Sequence, residues 1–188
     1  MSQIQLSFIP AFHADINSTR QTNLQNFTTR DEFDNSSHQL VAYNNNKLIG
    51  KVRMTCKQPS LLSKWLTKQE TFPCKTQIAN LTRGMIDKKW QRKSLYSLLM
   101  IELAIICYQK NYDYAITAID KGKTEGFLCD LGYEVCRDKK QNCSIQTENA
   151  VFNNIILDLK KNIMLFLETR NKIVETLKGI GITIRSDY

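Results

Sequence analysis

One segment in the middle of the chain changes its hydrophobic period twice, and this constrains the fold more than any other feature. Strand-like apolar residues run through Thr76–Ile86, a helical pattern starts after Ser94 and lasts to about Lys110, and a second strand pattern spans Tyr114–Asp120. The helical stripe consists of Leu95, Leu98, Leu99, Leu103 and Ile106, with Ser94 as its N-cap. These lengths predict a βαβ unit with two parallel strands.

The remaining patterns predict an α/β fold. Alternating segments flank Asn44, Asn45 and Asn46, so they predict a β-hairpin whose turn uses the left-handed backbone that asparagine tolerates. Residues 57–75 are predicted to be a connection with one or two helical turns. The rest of the chain is predicted to contain a short helix over about 124–131, strands over 133–137 and about 151–159, and a closing helix over about 160–178. We therefore expect a mixed, largely antiparallel central sheet.

Composition favours a single globular domain. The chain has 188 residues, 42% of them hydrophobic, with only 7 Gly and 3 Pro, so residues 1–188 are predicted to form one domain. The N-terminus has no secretory pattern, and no apolar run approaches the ~20 residues of a membrane span. We expect a cytoplasmic protein with reduced cysteines and, given two histidines and no CxxC pair, no metal site.

The basic residues account for a formal net charge of +8. Their densest cluster, Lys88, Lys89, Arg92 and Lys93, lies in the turn between the first strand and the helix of the βαβ unit. Unpaired amides at a helix N-terminus attract phosphate, so this turn is a candidate phosphate site; a solvated loop is the alternative. Few aromatic residues are interleaved with the basic clusters, so no nucleic-acid partner is predicted.

The same turn resembles the acyl-donor loop of the GCN5-related N-acetyltransferase (GNAT) superfamily. That family's motif is Q/R-x-x-G-x-G/A, and here Gln91 matches its first position while Ser94 and Tyr96 replace the two small residues. The resemblance implies a GNAT-like fold and a donor site that includes Met85, Ile86, Gln91, Arg92, Lys93, Ser94, Leu95 and Tyr96. The tyrosine that often serves this family as general acid is replaced by Leu128.

A second resemblance is to the branch of acyl-homoserine-lactone autoinducer synthases and N-acyl amino acid synthases. Asp31 and Asp34 precede the hairpin, Arg53 lies near the end of its second strand, and Arg83 lies on the strand before the donor loop. Asn80 stands where that branch has a glutamate. The resemblance implies that this polar cluster orients an amine; an ion-pair network that only pins the N-terminal segment to the sheet is the alternative.

The resemblance implies aminolysis of a thioester, with the oxyanion held by a backbone amide near Met85. No clear base is present: Asn80 can orient water but cannot take a proton, and His38 has a suitable pKa but equally fits a structural role. The predicted catalytic residues are Arg83, Asn80, His38, Asp34 and Arg53.

The expected activity is N-acyl transfer, most specifically of a long-chain fatty acyl group, to an amine such as that of an amino acid or peptide. A tight turn around the pyrophosphate of coenzyme A favours glycine, and Tyr96 is bulky. We therefore expect the phosphopantetheine of acyl carrier protein as donor and acyl-CoA as the alternative. No permanently bound cofactor is predicted. Acetyl transfer from acetyl-CoA and a degenerate, non-catalytic binding protein are the rival hypotheses.

A final pattern lies in the C-terminal helix. Its apolar stripe predicts packing in the core or in a homodimer, and the wall of an acyl-chain tunnel is an alternative. The stripe consists of Ile163, Phe166, Leu167, Ile173, Val174 and Leu177.

Overall fold

A computed structural model describes residues 2–10, 36–55, 76–120, 125–135, 144–146 and 151–188. Nine strands lie in these ranges: β1 Ser2–Pro10, β2 Ser37–Asn44, β3 Lys47–Thr55, β4 Ile78–Ile86, β5 Tyr114–Asp120, β6 Glu134–Val135, β7 Ser144–Gln146, β8 Val151–Asp158 and β9 Ile182–Ser186. The helices are α1 Leu95–Gln109, α2 Glu125–Asp130 and α3 Leu159–Gly179. The predicted connection over 57–75 lies outside the described residues.

The contacts divide the chain into two compact units, and β4, α1 and α3 contribute residues to both. In the first unit the hydrogen-bonded strand order is β9-β1-β2-β3-β4, with β1 and β9 parallel and β1, β2 and β3 successively antiparallel. In the second unit β5 pairs with the start of β4 in parallel and with β8 antiparallel, and β6 and β7 also pair with β8. The α/β class and the mixed sheet are confirmed.

The predicted hairpin and βαβ unit are both present. Asn45 and Asn46 have φ values of 47° and 62°, which is the left-handed pair that a two-residue hairpin turn requires. Ile78, Ala79 and Asn80 pair in parallel register with Tyr114, Ala115 and Ile116, so the chain crosses over through α1 as expected. Three strands, β1, β7 and β9, were not predicted.

Helix α1 is buried on all sides rather than along one stripe. Every residue from Leu98 to Cys107 is buried, including Glu102, which is 2% exposed. The carboxylate of Glu102 accepts a hydrogen bond of 2.6 Å from Arg170 Nε on α3. The predicted apolar stripe is buried, but so are the other faces of the helix, because an ion pair allows even the charged position to be buried.

Helix α3 has a more ordinary amphipathic pattern. Of its predicted stripe, Phe166 and Leu177 are fully buried, whereas Leu167 is 39% exposed. The described part of the chain contains no helix that is long and apolar enough to cross a membrane.

Candidate active site

Strand β4 has an irregular backbone next to its only glycine. Arg83 has a φ of 54°, a left-handed conformation that costs a side-chain-bearing residue roughly 1–2 kcal/mol. A Cβ added to the adjacent Gly84 would lie 2.6 Å from Tyr96 Cε2 and 2.9 Å from Tyr96 Oη. The close backbone approach expected at Gly84 is therefore present, and the positive φ falls one residue earlier.

The turn after β4 is fixed by hydrogen bonds to its first residue. The Asp87 amide donates to the carbonyl of Ile49 at 2.8 Å, and the Asp87 carboxylate accepts from the Lys89 amide at 2.9 Å. A 3₁₀ turn over Lys88–Trp90 follows, and Lys47 Nζ lies 3.5 Å from Asp87 Oδ2. These bonds anchor one end of the basic turn to the hairpin strand β3.

The basic cluster is exposed and leads into the N-terminus of α1. Lys88, Lys89, Arg92 and Lys93 are all exposed, and Lys93 Nζ lies 4.9 Å from the centroid of the Trp90 ring. The turn thus brings four cations to the helix end, where the backbone amides attract anions.

Two residues of this turn adopt backbone conformations that favour glycine. Arg92 has a φ of 60° and Ser94 a φ of 57°. Ser94 accepts the first helical hydrogen bond, from the Leu98 amide at 2.9 Å, but its left-handed backbone differs from the extended one of a usual N-cap. Ser94 thus has a backbone of the kind that favours glycine, the residue that the resembling motif has at this position.

Leu95 and Met85 are buried parts of the predicted donor site, and Gln91 is exposed. Gln91 Nε2 donates to the carbonyl of Ile86 at 3.4 Å. A Cβ on Gly50 of β3 would lie 2.5 Å from Ile86 Cδ1, so glycine lets β3 and the end of β4 pack closely. All eight predicted donor-site residues thus lie on one continuous segment of the first unit.

One face of the hairpin carries buried polar side chains. Arg53 is 5% exposed, and its Nε donates to Thr82 Oγ1 of β4 at 3.1 Å. Lys51, two residues earlier on the same face, is also 5% exposed, and Gln39 pairs directly with Arg53. Buried cations need anions or polar partners, and Arg53 and Lys51 both have interaction partners within the chain, so this face is a buried polar cluster. Sequence patterns alone missed Lys51 and Gln39, although the alternation that places them beside Arg53 was available.

His38 does not share that face. It pairs with Met54, whereas Gln39 pairs with Arg53, and successive strand residues point to opposite sides of a sheet. The His38 ring stacks on Phe8 with a centroid distance of 5.1 Å and an interplanar angle of 8°. The structure therefore does not bring His38 together with Arg53, and the stacking fits the structural alternative.

The other predicted catalytic residues are distributed as follows. Arg83 is half-buried on β4, and Asn80 lies three residues earlier in the part of β4 that pairs with Ile116 of the second unit. Asp31 and Asp34 lie outside the described residues. No three His, Cys, Asp or Glu side chains in the described ranges are grouped so that they could hold a metal ion.

Tyr96 lies where the resembling motif has a small residue. It is the second residue of α1, it is half-buried against Gly84, and burial raises the pKa of its phenol above the ordinary value. The phenol is therefore neutral at physiological pH and can donate a hydrogen bond.

Comparison with known proteins bears on the family and the fold of the chain. Residues 10–101 match the family model of the acetyltransferase (GNAT) domain. No curated protein matches the chain in sequence. Many solved structures match it, including the CoA-dependent acyl-homoserine lactone synthase BjaI with SAM and isopentyl-CoA, at 14% identity, 100% coverage of this chain, 94% coverage of that chain and a TM-score of 0.63.

Two further structures have the same fold with other activities. FeeM, an N-acyl amino acid synthase from uncultured soil microbes, is 10% identical, with 85% of this chain and 93% of that chain covered and a TM-score of 0.63. Arabidopsis thaliana Naa50 in complex with the bisubstrate analogue CoA-Ac-MVNAL is 13% identical, with 80% and 97% covered and a TM-score of 0.55. At these identities the likeness shows the fold, and both kinds of synthase in the expected branch are among the structural neighbours.

Proposed function

Because the chain belongs to the GNAT acyltransferase superfamily, we propose that it transfers a long-chain fatty acyl group from a thioester to an amine. The acceptor that we propose is the amine of an amino acid or peptide, and the donor is acyl carrier protein or acyl-CoA. A cytoplasmic location and a homodimer stay predictions.

The observation that carries this proposal is the turn before α1. Arg92 and Ser94 adopt left-handed backbones there. Exposed lysine and arginine side chains lie in the same turn, just before a 15-residue helix that starts at Leu95. Such a turn aims backbone amides and positive charge at one place, which suits the phosphate of a pantetheine carrier. BjaI, whose structure contains isopentyl-CoA, supports a thioester donor for this fold.

The exposed cations favour a carrier protein as the donor. An acidic protein surface can pair with Lys88, Lys89, Arg92 and Lys93, whereas CoA alone needs fewer of them. Acyl-CoA is the alternative donor. Acetyl transfer from acetyl-CoA is the alternative reaction, which the likeness to Naa50 with its CoA-Ac-MVNAL analogue favours. The missing base and the leucine at 128 leave a non-catalytic ligand-binding protein as the third hypothesis.

In the proposed reaction the acceptor amine attacks the thioester carbonyl, and the carbon–sulfur bond then breaks to release the thiolate. A backbone amide near Met85 stabilises the oxyanion. Arg53, Arg83 and Asp34 orient the acceptor. The proton lost by the amine passes to water held by Asn80, because His38 does not share the face of Arg53.

Mass spectrometry of a mixture of acyl carrier protein thioesters, acyl-CoAs and candidate amines tests the proposal. We expect an N-acyl product with a long chain. Acetyl transfer alone would contradict the long-chain donor, and no product with any pair would favour the non-catalytic hypothesis. The replacement of Arg83 by alanine should abolish transfer without unfolding the protein.

A second set of variants tests the donor turn. Replacing Arg92 and Lys93 with alanine should raise the KM for the donor at least tenfold, because each charge-assisted hydrogen bond is worth about 1.5–3 kcal/mol. Lys172, exposed on α3, gives the matched control, since its alanine variant removes a cation elsewhere. Equal KM values in both variants would remove the turn from the donor site.

A further inference from the structure

Tyr96 and Gly84 form a contact between α1 and β4 that has a specific shape. The phenol ring fills the space beside Gly84, and its Cε2, Oη and Cζ atoms would lie 2.6, 2.9 and 3.1 Å from a Cβ at that position. Only glycine at 84 therefore admits this ring. The contact places the phenol oxygen next to the main chain of β4, one residue from the left-handed Arg83 and one from the buried Met85.

The Tyr96 hydroxyl is available for a ligand. Among the described residues none forms a hydrogen bond with it, and burial is the cause of its raised pKa. A ligand acceptor can therefore take a hydrogen bond from this hydroxyl. The phenol stays protonated at physiological pH, so it can donate this bond without losing its proton.

The position of this hydroxyl matches the place where the reaction develops charge. Under the proposed function, on which this step rests, the thioester carbonyl lies at the irregular part of β4, where a main-chain amide near Met85 faces the oxyanion. A donor beside Gly84 is within one residue of that amide. Two donors that converge on one oxygen are the arrangement that stabilises an oxyanion best.

We propose that Tyr96 is a catalytic residue whose hydroxyl donates a hydrogen bond to the carbonyl oxygen of the bound acyl thioester. The bond strengthens as the amine adds to the carbonyl carbon and the oxygen becomes negative. No proton is transferred to the oxygen: Tyr96 keeps its proton throughout, and the thiolate leaves when the carbonyl reforms. Tyr96, which stands where the motif has a small residue, thus supplies a hydroxyl to the reaction.

The Tyr96→Phe variant tests this proposal, because phenylalanine keeps the ring contact with Gly84 and removes only the oxygen. We expect kcat to fall by about 10²–10³, with little change in the KM for the donor, as when one oxyanion donor is removed. The melting temperature should be unchanged. Tyr108, 38% exposed on the same helix, provides the matched control, and Tyr108→Phe should leave kcat unaltered.

A second measurement reports on the bond without turnover. Palmitoyl-CoA carrying ¹³C at its carbonyl is bound without an amine, and its carbonyl stretch is recorded by infrared difference spectroscopy. A hydrogen bond from Tyr96 lowers the stretching frequency in the wild type, and the Tyr96→Phe variant should lose that shift. If no amine is acylated but this shift is present, the proposed function fails and the contact with the thioester stands.

Three results would overturn the inference. Full turnover by the Tyr96→Phe variant would show that the hydroxyl does not act on the reacting group. A carbonyl stretch that is the same in both proteins, together with a lower melting temperature of the variant, would assign Tyr96 a packing role only. Failure of the wild type to bind palmitoyl-CoA and to acylate any amine would overturn both the inference and the proposed function.

Discussion

Removing one partner of the ion pair between Glu102 and Arg170 should destabilise the fold far more than removing one partner of a surface pair does. Glu102 lies on α1 with its side chain 3% exposed, and Arg170 on α3 has a side chain that is 33% exposed. The Nε–Oε1 distance is 2.6 Å, which is short even for a charge-assisted hydrogen bond. The perturbation that we choose is Arg170→Ala, which leaves the carboxylate buried without its cation.

The two partners should respond unequally, because their burial differs. Removing the cation from a buried pair typically destabilises a protein by 3–5 kcal/mol, and we expect about 3 kcal/mol because the Tyr188 hydroxyl still bonds Glu102. Glu102→Gln should lose less, about 1–2 kcal/mol, since the amide oxygen still accepts a hydrogen bond and Arg170 can reach water. The order of the two losses follows from which charge is left in the interior.

Urea unfolding at pH 7, followed by circular dichroism, measures both losses as changes in the free energy of unfolding. The pair of Glu175 and Lys178 provides a control on the same helix, since its side chains are 70% and 67% exposed and its atoms lie 3.7 Å apart. Lys178→Ala should change the free energy by at most about 0.5 kcal/mol.

The reasoning would be refuted if Arg170→Ala behaved like Lys178→Ala. It would also be refuted if Glu102→Gln were the more damaging variant, because that order would mean that the carboxylate is not the group that needs compensation. Replacing both residues with apolar ones of similar volume should recover most of the loss, as is common for buried ion pairs.

Three further predictions concern the same unit and can be checked by urea unfolding. Ser94→Gly should stabilise the protein by about 0.5–1 kcal/mol by relieving the left-handed serine, whereas Ser97→Gly, inside α1, should destabilise it by about 1 kcal/mol. Gly84→Ala should lower the free energy of unfolding by about 1–3 kcal/mol through its clash with Tyr96, and by less in the Tyr96→Ala background. Burial, and then Glu102, raise the pKa of Tyr188, so stability should fall as the pH rises above about 10, and Tyr188→Phe should flatten this dependence.

Local patterns predicted the elements whose stability is local. The hairpin follows from an asparagine turn between alternating segments, and α1 from the helical spacing after Ser94. The limits of strand β5 were predicted correctly because a mostly apolar segment of seven residues lies between polar turns. In these segments the sequence signal and the tertiary contacts favour the same structure.

The missed elements depend on partners that are distant in sequence. Strand β9 is only five residues long with only Ile182 buried, so its alternation is too short to identify it, and it forms because it pairs with β1 about 180 residues away in the chain. From the sequence, Glu102 is expected to face solvent. It is buried because its charge is compensated by Arg170, 68 residues later. No local window contains either partner.

The candidate site was predicted in part for the same reason. The basic turn is a continuous segment, so its residues were found together, whereas the side of the sheet that His38 occupies depends on the register between β2 and β3. The sequence did not predict the positive φ of Arg83, because arginine rarely adopts it and Gly84 pointed to an irregularity one position later. The strand register and the sign of a residue's φ are both decided by tertiary packing.

Strand β9 also affects how the first unit behaves in concentrated solution. The strand it covers, β1, contains fully buried Ile4 and Leu6, whereas β9 is five residues long, exposes most of its side chains and carries Arg185. An open edge with apolar residues invites pairing with another chain, and a short, charged edge discourages it. Cleavage of the chain between α3 and β9 should therefore promote aggregation through β1, even where the catalytic segment is untouched.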